Sequence, residues 1–281
     1  MNIFKTLSDY QSWRSDLSQN LKIGFVPTMG ALHKGHLTLV ERAINENDKT
    51  VTTIFVNPTQ FDNPEDLKNY PSTLENDLKL LTEIGCNTVF CPNAEEIYSG
   101  KVEAEVFDFA PFDNTMEGAH RKGHFDGVGT IVKILFEVIN PHRAYFGEKD
   151  FQQLKIIESL VKQKEMPVEI IPCEIVREDS GLAMSSRNLR LSVDDRKSAV
   201  FIYEILQKVK QWSISNAVDD IKIAVNKAFA EHPKFSLEYF EIASEHDLQP
   251  TQNLSKHNLP RAFIAAKIAG IRLIDNMPLN R

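Results

Sequence analysis

The sequence predicts an α/β fold: a Rossmann-like parallel sheet domain with a smaller C-terminal α+β domain. Three observations support this prediction. Strand-like apolar runs alternate with helical periods in the first part of the chain, which is typical of a parallel sheet with helices on both faces. From about residue 190 helices come first and short strands follow. The length of 281 residues suits one large domain or two ordinary ones, and we place the boundary between residues 176 and 177.

The elements follow from local patterns. Residues 3–18 predict a short amphipathic helix, and residues 72–84 a helix opened by a Ser or Thr cap. Further helices are predicted for "HLTLVERAINEN", "GVGTIVKILFEVIN" and "FQQLKIIESLVKQ". Strands are predicted for "LKIGFVPTMG", "TVTTIFVNP", "CNTVFCP" and "VEIIPCEIV", and a strand end followed by a loop for "RAYFGEKD". The second domain predicts the helices "VDDRKSAVFIYEILQKVKQW" and "AVDDIKIAVNKAFAEH", then the strands "SLEYFEIAS" and "RAFIAAKIAGIRLIDNM".

Composition restricts the class of partner. The formal charge is −7, from 32 basic and 39 acidic residues, which argues against a dedicated nucleic-acid binder and favours a small anionic ligand. We find no signal peptide and no apolar run long enough to span a membrane. The three cysteines form no CxxC pair, so we expect a cytoplasmic protein without a disulfide framework.

The stretch "PTMGALHKGH" places His33 and His36 where a strand gives way to a helix, beside Gly30 and Gly35. The pair could ligate a metal, cap a helix or bind phosphate. A zinc site needs further ligands at recognisable spacing, which the cysteines do not supply. An isolated pair would more often be a structural cap. A helix start has outward N–H groups and a dipole that favours anions, and glycines allow close approach, so this context favours phosphate.

Other clusters are weaker signals when taken singly. Asn57 and Gln60 follow a strand at the sheet edge where open α/β folds bind ligands, although Asn-Pro is also ordinary turn chemistry. Asp77 is by default a solvated carboxylate, of interest only beside a magnesium nucleotide. Arg121 and His124 lie in a glycine-rich loop before a helix.

Two later segments carry groups that suit phosphate. "YFGEKDFQQL" contains Lys149, Asp150 and Gln153, and "REDSGLAMSSRN" contains the hydroxyls and guanidinium of Ser185–Arg187. The second segment could close over a ligand or could simply be an interdomain linker. Neither a P-loop nor a G-x-G-x-x-G pattern occurs.

Taken together, these clusters carry a resemblance. "HKGH" resembles the HxGH signature of the nucleotidylyltransferase and class I aminoacyl-tRNA synthetase superfamily, and "MSSR" its mobile KMSKS-type loop. Within that superfamily, "PTMGALHKGHLTLV", "FVNPTQF", "RKGHFDGV", "YFGEKDFQQL", "VREDSGLAMSSRN" and "RLIDN" are similar to the pantoate–β-alanine ligase (pantothenate synthetase) family. The resemblance runs from about residue 20 to 195 and returns near the C-terminus.

The resemblance implies a two-step ligation. ATP and (R)-pantoate would give pantoyl adenylate and diphosphate, and β-alanine would then displace AMP to form pantothenate, with Mg²⁺ accompanying ATP. This chemistry requires positioning and charge stabilisation more than covalent help. The resemblance also implies a homodimer, with the C-terminal domain as a lid and dimer element.

The site residues implied by the resemblance fall into four groups. The catalytic residues are His36, His33 and Lys149. The ATP-binding residues are Met29, Gly30, Ala31, Leu32, His33, Lys34, Gly35, His36, Gly147, Glu148, Lys149, Asp150, Val176, Met184, Ser185, Ser186 and Arg187. The substrate-binding residues are Gln60, Gln153, Asn57, Arg121 and His124, and Asp77 would face Mg²⁺.

Three departures from the family pattern stand out: Asp62 replaces a usual Gly, Ser72 a usual Arg, and Lys122 a frequent Pro. Two other classes compete with the ligase hypothesis. A nucleotidylyltransferase acting on a phosphorylated acceptor shares HxGH but does not require the Gln60 and Gln153 pair. A non-catalytic nucleotide-binding module would not need to retain both histidines and Lys149. The acidic charge disfavours a tRNA synthetase fragment.

Overall fold

The computed structural model describes residues 1–98 and 100–279. Within it the chain forms two compact units. The first unit comprises residues 1–109, 121–148 and 153–174; the second comprises residues 110–120, 149–152 and the chain from Ile175 onward. Three short stretches inside the predicted first domain thus group with the second unit: residues 110–120, 149–152 and 175–176. A single boundary along the sequence cannot describe a unit that is built from separate segments of the chain.

The elements up to residue 173 alternate in type. In chain order they are β1 Asn2–Phe4, α1 Leu7–Ser15, β2 Ile23–Thr28, α2 Lys34–Glu46, β3 Lys49–Ile54, α3 Pro64–Lys68, α4 Leu74–Glu83, β4 Thr88–Phe90, α5 Ala94–Tyr98, α6 Met116–His120, α7 His124–Ile139, β5 Arg143–Gly147, α8 Phe151–Gln163 and β6 Glu169–Cys173. Short 3-10 turns cover Pro58–Gln60 and Glu148–Asp150.

The first unit contains one parallel sheet of six strands in the order β1-β4-β3-β2-β5-β6. Strand order therefore runs outward from β2 in one direction and from β5 in the other. Ligands of open α/β sheets bind beyond the carboxyl ends of the strands at such a switch point. The histidine motif directly follows β2, so the topology places it at that position.

The N-terminal expectation is wrong at its start. Asn2–Phe4 is a strand, and it pairs in parallel with β4 from Asn2 opposite Thr88 to Phe4 opposite Phe90. The helix begins only at Leu7, after the Thr6 hydroxyl caps it by accepting from the Asp9 amide. Three residues are too few to show a period of their own, so the partner strand decides their conformation.

The second unit contains a three-stranded antiparallel sheet in the order β7-β8-β9. Its elements are α9 Val193–Ala199, α10 Phe201–Trp212, α11 Val218–Ala230, β7 Phe235–Ser244, β8 Pro260–Ile268 and β9 Ile271–Pro278. The stretch "RAFIAAKIAGIRLIDNM" contains two strands, β8 and β9, joined as a hairpin, because Ala269 and Gly270 both have positive φ and form a two-residue turn.

Each unit has its own buried apolar cluster. In the first, Val26, Leu39 and Leu81 belong to one cluster drawn from strand and helix residues. In the second, Leu206 and Ile264 belong to another. The predicted fold class is confirmed. None of the helices in the described ranges is long and apolar enough to cross a membrane.

Candidate active site

The histidine pair lies across the start of α2. His33 is the N-cap residue with an extended backbone, and the helix begins at Lys34, so only His36 lies within the first helical turn. The His33 side chain makes no capping hydrogen bond, which disfavours the structural-cap alternative. Instead the two imidazoles stack, with ring centroids 4.0 Å apart and an interplanar angle of 26°.

The turn before the helix has an unusual backbone. Gly30 has φ +79° and Ala31 has φ +49°, so two consecutive residues lie in the left-handed region. A Cβ at Gly30 would also lie 3.1 Å from both Asp77 Oδ2 and Ile54 Cγ2. Glycine is thus required here for conformation and space, and a left-handed Ala31 needs external support.

Asp77 supplies that support. Its Oδ2 accepts from the Ala31 amide at 2.9 Å, and its Oδ1 accepts from the Leu32 amide at 2.8 Å. The Thr73 hydroxyl donates to Oδ1 at 3.0 Å. The expectation of a solvated carboxylate is wrong, because Asp77 is fully buried and fixes the main chain that leads into the histidine motif.

These contacts do not fit direct coordination of Mg²⁺ by Asp77. The carboxylate has no exposed surface, and both oxygens are already acceptors for the turn. A hard cation needs several accessible oxygen ligands. Among residues 1–98 and 100–279, no group of three or more His, Cys, Asp or Glu side chains could hold a metal ion.

A second polar group surrounds the Pro58–Gln60 turn. Asn57 is buried, and its amide nitrogen donates to Gln60 Oε1 and to the Gly127 carbonyl, both at 3.1 Å. Its Oδ1 accepts from the Tyr98 hydroxyl at 2.5 Å. Burial raises the pKa of Tyr98, so its hydroxyl remains a donor. Asn57 thus orients Gln60. It also caps the Pro58–Gln60 turn, because its Oδ1 accepts from the Thr59 amide, as the turn interpretation predicts.

Gln60 is oriented with its amide nitrogen 3.1 Å from the sulfur of Met29. A thioether is a weak acceptor, so a ligand oxygen would be a better partner for this N–H group. Met29 and Gln60 follow neighbouring strands β2 and β3. Their contact shows that the two predicted clusters of the first unit meet at one edge of the sheet.

His124 and Arg121 also reach the Gln60 segment. His124 Nδ1 lies 2.8 Å from the Gln60 carbonyl oxygen, and Arg121 Nη1 lies 3.0 Å from His124 Nε2. A carbonyl only accepts and a guanidinium only donates, so His124 is the neutral tautomer with its proton on Nδ1. The departure at position 62 has a structural role, since Asp62 Oδ1 lies 3.3 Å from Arg121 Nε.

Gln153 lies partly exposed in the first turn of α8, as predicted. Its neighbour Gln152 is buried and donates to the Phe112 and Thr115 carbonyls. Gly147 ends β5 and Glu148 begins the next 3-10 turn. These two residues therefore lie at the carboxyl edge of the sheet, where the sequence placed them.

The remaining predicted ATP residues belong to the second unit. Lys149 Nζ lies 3.6 Å from Asp150 Oδ1. Ser185 caps the 3-10 turn Ser186–Arg190 by accepting from the Arg187 amide at 3.3 Å. Val176 and Met184 face each other across a short hairpin, in which the Met184 amide donates to the Val176 carbonyl at 3.0 Å. The Ser-Ser-Arg stretch thus begins a hydrogen-bonded turn within the second unit, which disfavours the interdomain-linker alternative.

Sequence comparisons agree with these features. The family model described as pantoate-beta-alanine ligase matches residues 2–278. The pantothenate synthetase of Christiangramia forsetii is 52% identical over 264 residues, covering 94% of this chain and 93% of the relative. The pantothenate synthetase of Flavobacterium psychrophilum is 47% identical and covers 99% of this chain and 100% of the relative.

Solved structures show the same likeness. The crystal structure of pantothenate synthetase from Thermus thermophilus has a TM-score of 0.93 at 39% identity, with full coverage of both chains. That of pantoate-beta-alanine ligase from Francisella tularensis, complexed with beta-gamma ATP and beta-alanine, has a TM-score of 0.85 at 37% identity. It covers 100% of this chain and 98% of that one.

Fold and site together define a two-unit α/β enzyme of the ligase class. The chain belongs to the pantoate-beta-alanine ligase family, whose model spans nearly its whole length. It is therefore a ligase that joins pantoate to β-alanine, and the predicted function is confirmed at this level.

Proposed function

We propose that the chain uses ATP to activate (R)-pantoate as an acyl adenylate, which β-alanine then converts to pantothenate. The observation that carries this proposal is the stacked pair His33 and His36 at the start of α2, directly beyond β2. Helix N-termini favour anions, and two imidazoles there add donors for phosphate oxygens. The ATP and β-alanine bound to the Francisella tularensis relative support the same choice of substrates.

In the first step a pantoate carboxylate oxygen attacks the α-phosphorus of ATP and the bond to diphosphate breaks. Negative charge develops on the transferring phosphoryl group, and preorganised donors stabilise that charge. We assign this role to His36 and His33 together with Lys149, Ser185, Ser186 and Arg187. The other predicted nucleotide contacts remain part of the same proposal: Met29–Gly35, Gly147, Glu148, Asp150, Val176 and Met184.

In the second step the neutral amine of β-alanine attacks the acyl carbon, the nitrogen loses one proton to solvent, and AMP leaves with the electron pair of the broken C–O bond. Gln60 and Gln153 are proposed to bind pantoate. The amide nitrogen of Gln60 is directed at a weak thioether acceptor, which a pantoate oxygen can replace. The contacts of Asn57 and His124 with Gln60 favour an indirect role for both, through the position of Gln60. Arg121 is proposed to lie close to the pantoate and phosphate groups.

Mg²⁺ is proposed only as the counter-ion of ATP, where it would neutralise phosphate charge, and no step is assigned to it. A cytoplasmic location and a homodimer also remain proposals. The free thiols of Cys86, Cys91 and Cys173 are consistent with a reducing compartment.

The decisive experiment supplies Mg-ATP with pantoate, β-alanine, both or neither. We expect sustained AMP and diphosphate release only with both acids present, and pantoyl hydroxamate when hydroxylamine replaces β-alanine. Turnover with a phosphorylated acceptor, or none with pantoate, contradicts the proposal.

In the same assay His36→Ala should lose hydroxamate formation with an unchanged circular dichroism spectrum, whereas the control His257→Ala, at an exposed histidine, should retain it. Near-normal activity of His36→Ala would remove that residue from the catalytic role.

A further inference from the structure

The "RLIDN" stretch near the C-terminus has no role in the proposed ligation steps. In the structure it lies on β9 and carries two buried polar residues, Asp275 and Asn276. Consecutive residues of a strand point to opposite faces, so the two side chains reach different partners. Polar side chains are buried at a cost unless they are bonded, which makes their partners informative.

Asn276 contacts the main chain of a proposed ATP residue. Its Nδ2 donates to the Lys149 carbonyl at 2.8 Å, and its Oδ1 accepts from Arg261 Nη1 at 2.5 Å. Arg261 is fully buried, donates to Glu245 Oε1 at 3.0 Å and lies 3.9 Å from the centroid of the Phe151 ring. Because a guanidinium only donates, it fixes which side of the Asn276 amide faces Lys149.

Asp275 contacts a second segment. It forms a bidentate ion pair with Arg177, at 2.6 Å to Nη1 and 2.9 Å to Nη2, and its Oδ1 also accepts from the Asn276 amide. Arg177 Nη1 donates in addition to the Gly181 carbonyl at 3.1 Å. Bidentate pairs of this kind fix orientation as well as charge.

The segment that Asp275 contacts leads directly into the Ser-Ser-Arg turn. Arg177 and Ala183 form an antiparallel bridge, which closes a small hairpin just before Met184. The hairpin is tightly packed, because a Cβ on Gly181 would lie 2.2 Å from Tyr203 Cδ1. Holding Arg177 therefore holds the position from which Ser185, Ser186 and Arg187 follow.

We propose that Asp275 and Asn276 are positioning residues that fix the main chain of the Lys149 segment and of the 177–183 hairpin for ATP binding. The inference rests on the proposed function of those two segments. Within the second unit, β9 thus holds two segments through two adjacent residues. One segment carries the Lys149 ammonium and the other leads to the hydroxyls of Ser185 and Ser186. Misplacing such contacts by about 1 Å is enough to slow a reaction that depends on orientation.

The test is Asn276→Asp, which preserves the size and the acceptor that faces Arg261. It replaces the N–H donor by a carboxylate oxygen that faces the Lys149 carbonyl. We expect the KM for ATP in the hydroxamate assay to rise about tenfold, the equivalent of one lost hydrogen bond. The KM for β-alanine, measured by AMP release, should stay within about twofold of the wild type, on the order of the scatter between independent variants.

Asn258→Asp is the matched control. Asn258 belongs to the same unit and donates to Thr251 Oγ1 and to the Asn253 carbonyl. Both acceptors lie outside the Lys149 segment and the 177–183 hairpin. It should keep the wild-type KM for ATP. Arg177→Lys is a second variant, because it keeps the charge but loses the bidentate geometry, and its KM for ATP should also rise.

An unchanged KM for ATP in Asn276→Asp overturns the proposal, as does an equal rise in the KM of every substrate. If Asn276→Asp does not fold, as judged by circular dichroism, Arg177→Lys takes its place. An unchanged KM for ATP in that variant, or an equal rise in the KM of every substrate, then overturns the proposal. Failure of the wild type to form pantoyl hydroxamate would overturn the proposed function instead, so the two failures are distinguishable.

Discussion

At the scale of single residues, the buried carboxylate of Asp77 determines the shape of the turn before the histidines. It accepts from two consecutive main-chain amides, those of Ala31 and Leu32. The left-handed conformation of Ala31 persists because its amide is held in this way. The left-handed backbone at position 30 favours glycine, and the Asp77 carboxylate and Ile54 leave little room for a Cβ there. The placement of His33 thus depends on a residue of α4, far away in sequence.

Asp77→Asn tests this dependence. The amide keeps one acceptor but places an N–H group against a main-chain donor, so we expect the free energy of unfolding in urea to fall by about 1–3 kcal/mol. Ligation should slow as well, because the turn relaxes. Asp48→Asn is the control, because Asp48 is exposed and its carboxylate accepts from the Lys22 amide at the surface. Equal stability of the two variants would contradict the role of Asp77.

At the scale of elements, α7 packs closely against the Pro58–Gln60 turn. Gly127 makes this approach possible, since a Cβ there would lie 2.3 Å from the Thr59 carbonyl oxygen and 2.7 Å from Gln60 Cα. Asn57 Nδ2 also donates to the Gly127 carbonyl, so the backbone of α7 both packs against the turn and accepts a hydrogen bond from the residue that precedes it. The position of Gln60 is therefore set by a helix and not by its own turn alone.

Gly127→Ala should push the turn away from α7. We expect a loss of about 1–3 kcal/mol in unfolding free energy, typical of overpacking, and a higher KM for pantoate in the ligation assay. Gly85→Ala is the control, because its added methyl meets open space and only the left-handed backbone resists it. That control should lose some stability with an unchanged KM for pantoate. A normal KM in Gly127→Ala would separate α7 from substrate binding.

For the protein as a whole, buried tyrosines make the free energy of unfolding depend on pH in the alkaline range. Tyr10 and Tyr145 are fully buried. Burial raises the pKa of Tyr145 to about 12 and raises that of Tyr10 as well, opposed in Tyr10 by the weaker effect of Arg14. A tyrosine in the unfolded chain has a pKa of about 10, so the folded protein binds these protons more tightly than the unfolded chain does.

We therefore expect full stability from these groups below about pH 10 and a progressive loss as the pH rises toward the folded pKa of Tyr145. Urea unfolding at increasing pH, followed together with tyrosinate absorbance, measures both events. Tyr145→Phe removes one titrating group and should flatten the decline. If stability is constant up to pH 12, buried tyrosine does not govern the alkaline limit.

The sequence predicted most of the fold because its helices and strands are long enough to show their own periods. The positions of three motifs were also predictable, since "HKGH", "FVNPTQF" and "YFGEKD" each come at or just after the end of a strand of the parallel sheet. What failed were features with no local signal. The strand Asn2–Phe4 exists through pairing with β4, which lies far away in sequence. The domain boundary between residues 176 and 177 stays a prediction.

Several residues that contact the proposed site residues could not be predicted from the sequence either. Tyr98 reaches Asn57 from a separate short helix, and Asn276 reaches Lys149 from the last strand. The sequence contained the motif "RLIDN" but no indication of what its side chains touch. Asp77 looked like a surface carboxylate because charge alone predicts exposure, whereas its amide partners make burial possible.

By itself, the sequence determined the fold class, the family and the types of group available to bind phosphate, because periodicity and motif spacing are local properties of the chain. How those groups are held follows from contacts between distant parts of the chain. The tertiary structure showed the stacking of His33 on His36, the support of their turn by Asp77 and the contact of Asn276 with Lys149. Hydrogen bonds between residues far apart in the chain form only when packing brings donor and acceptor within about 3 Å, and no local pattern encodes that distance.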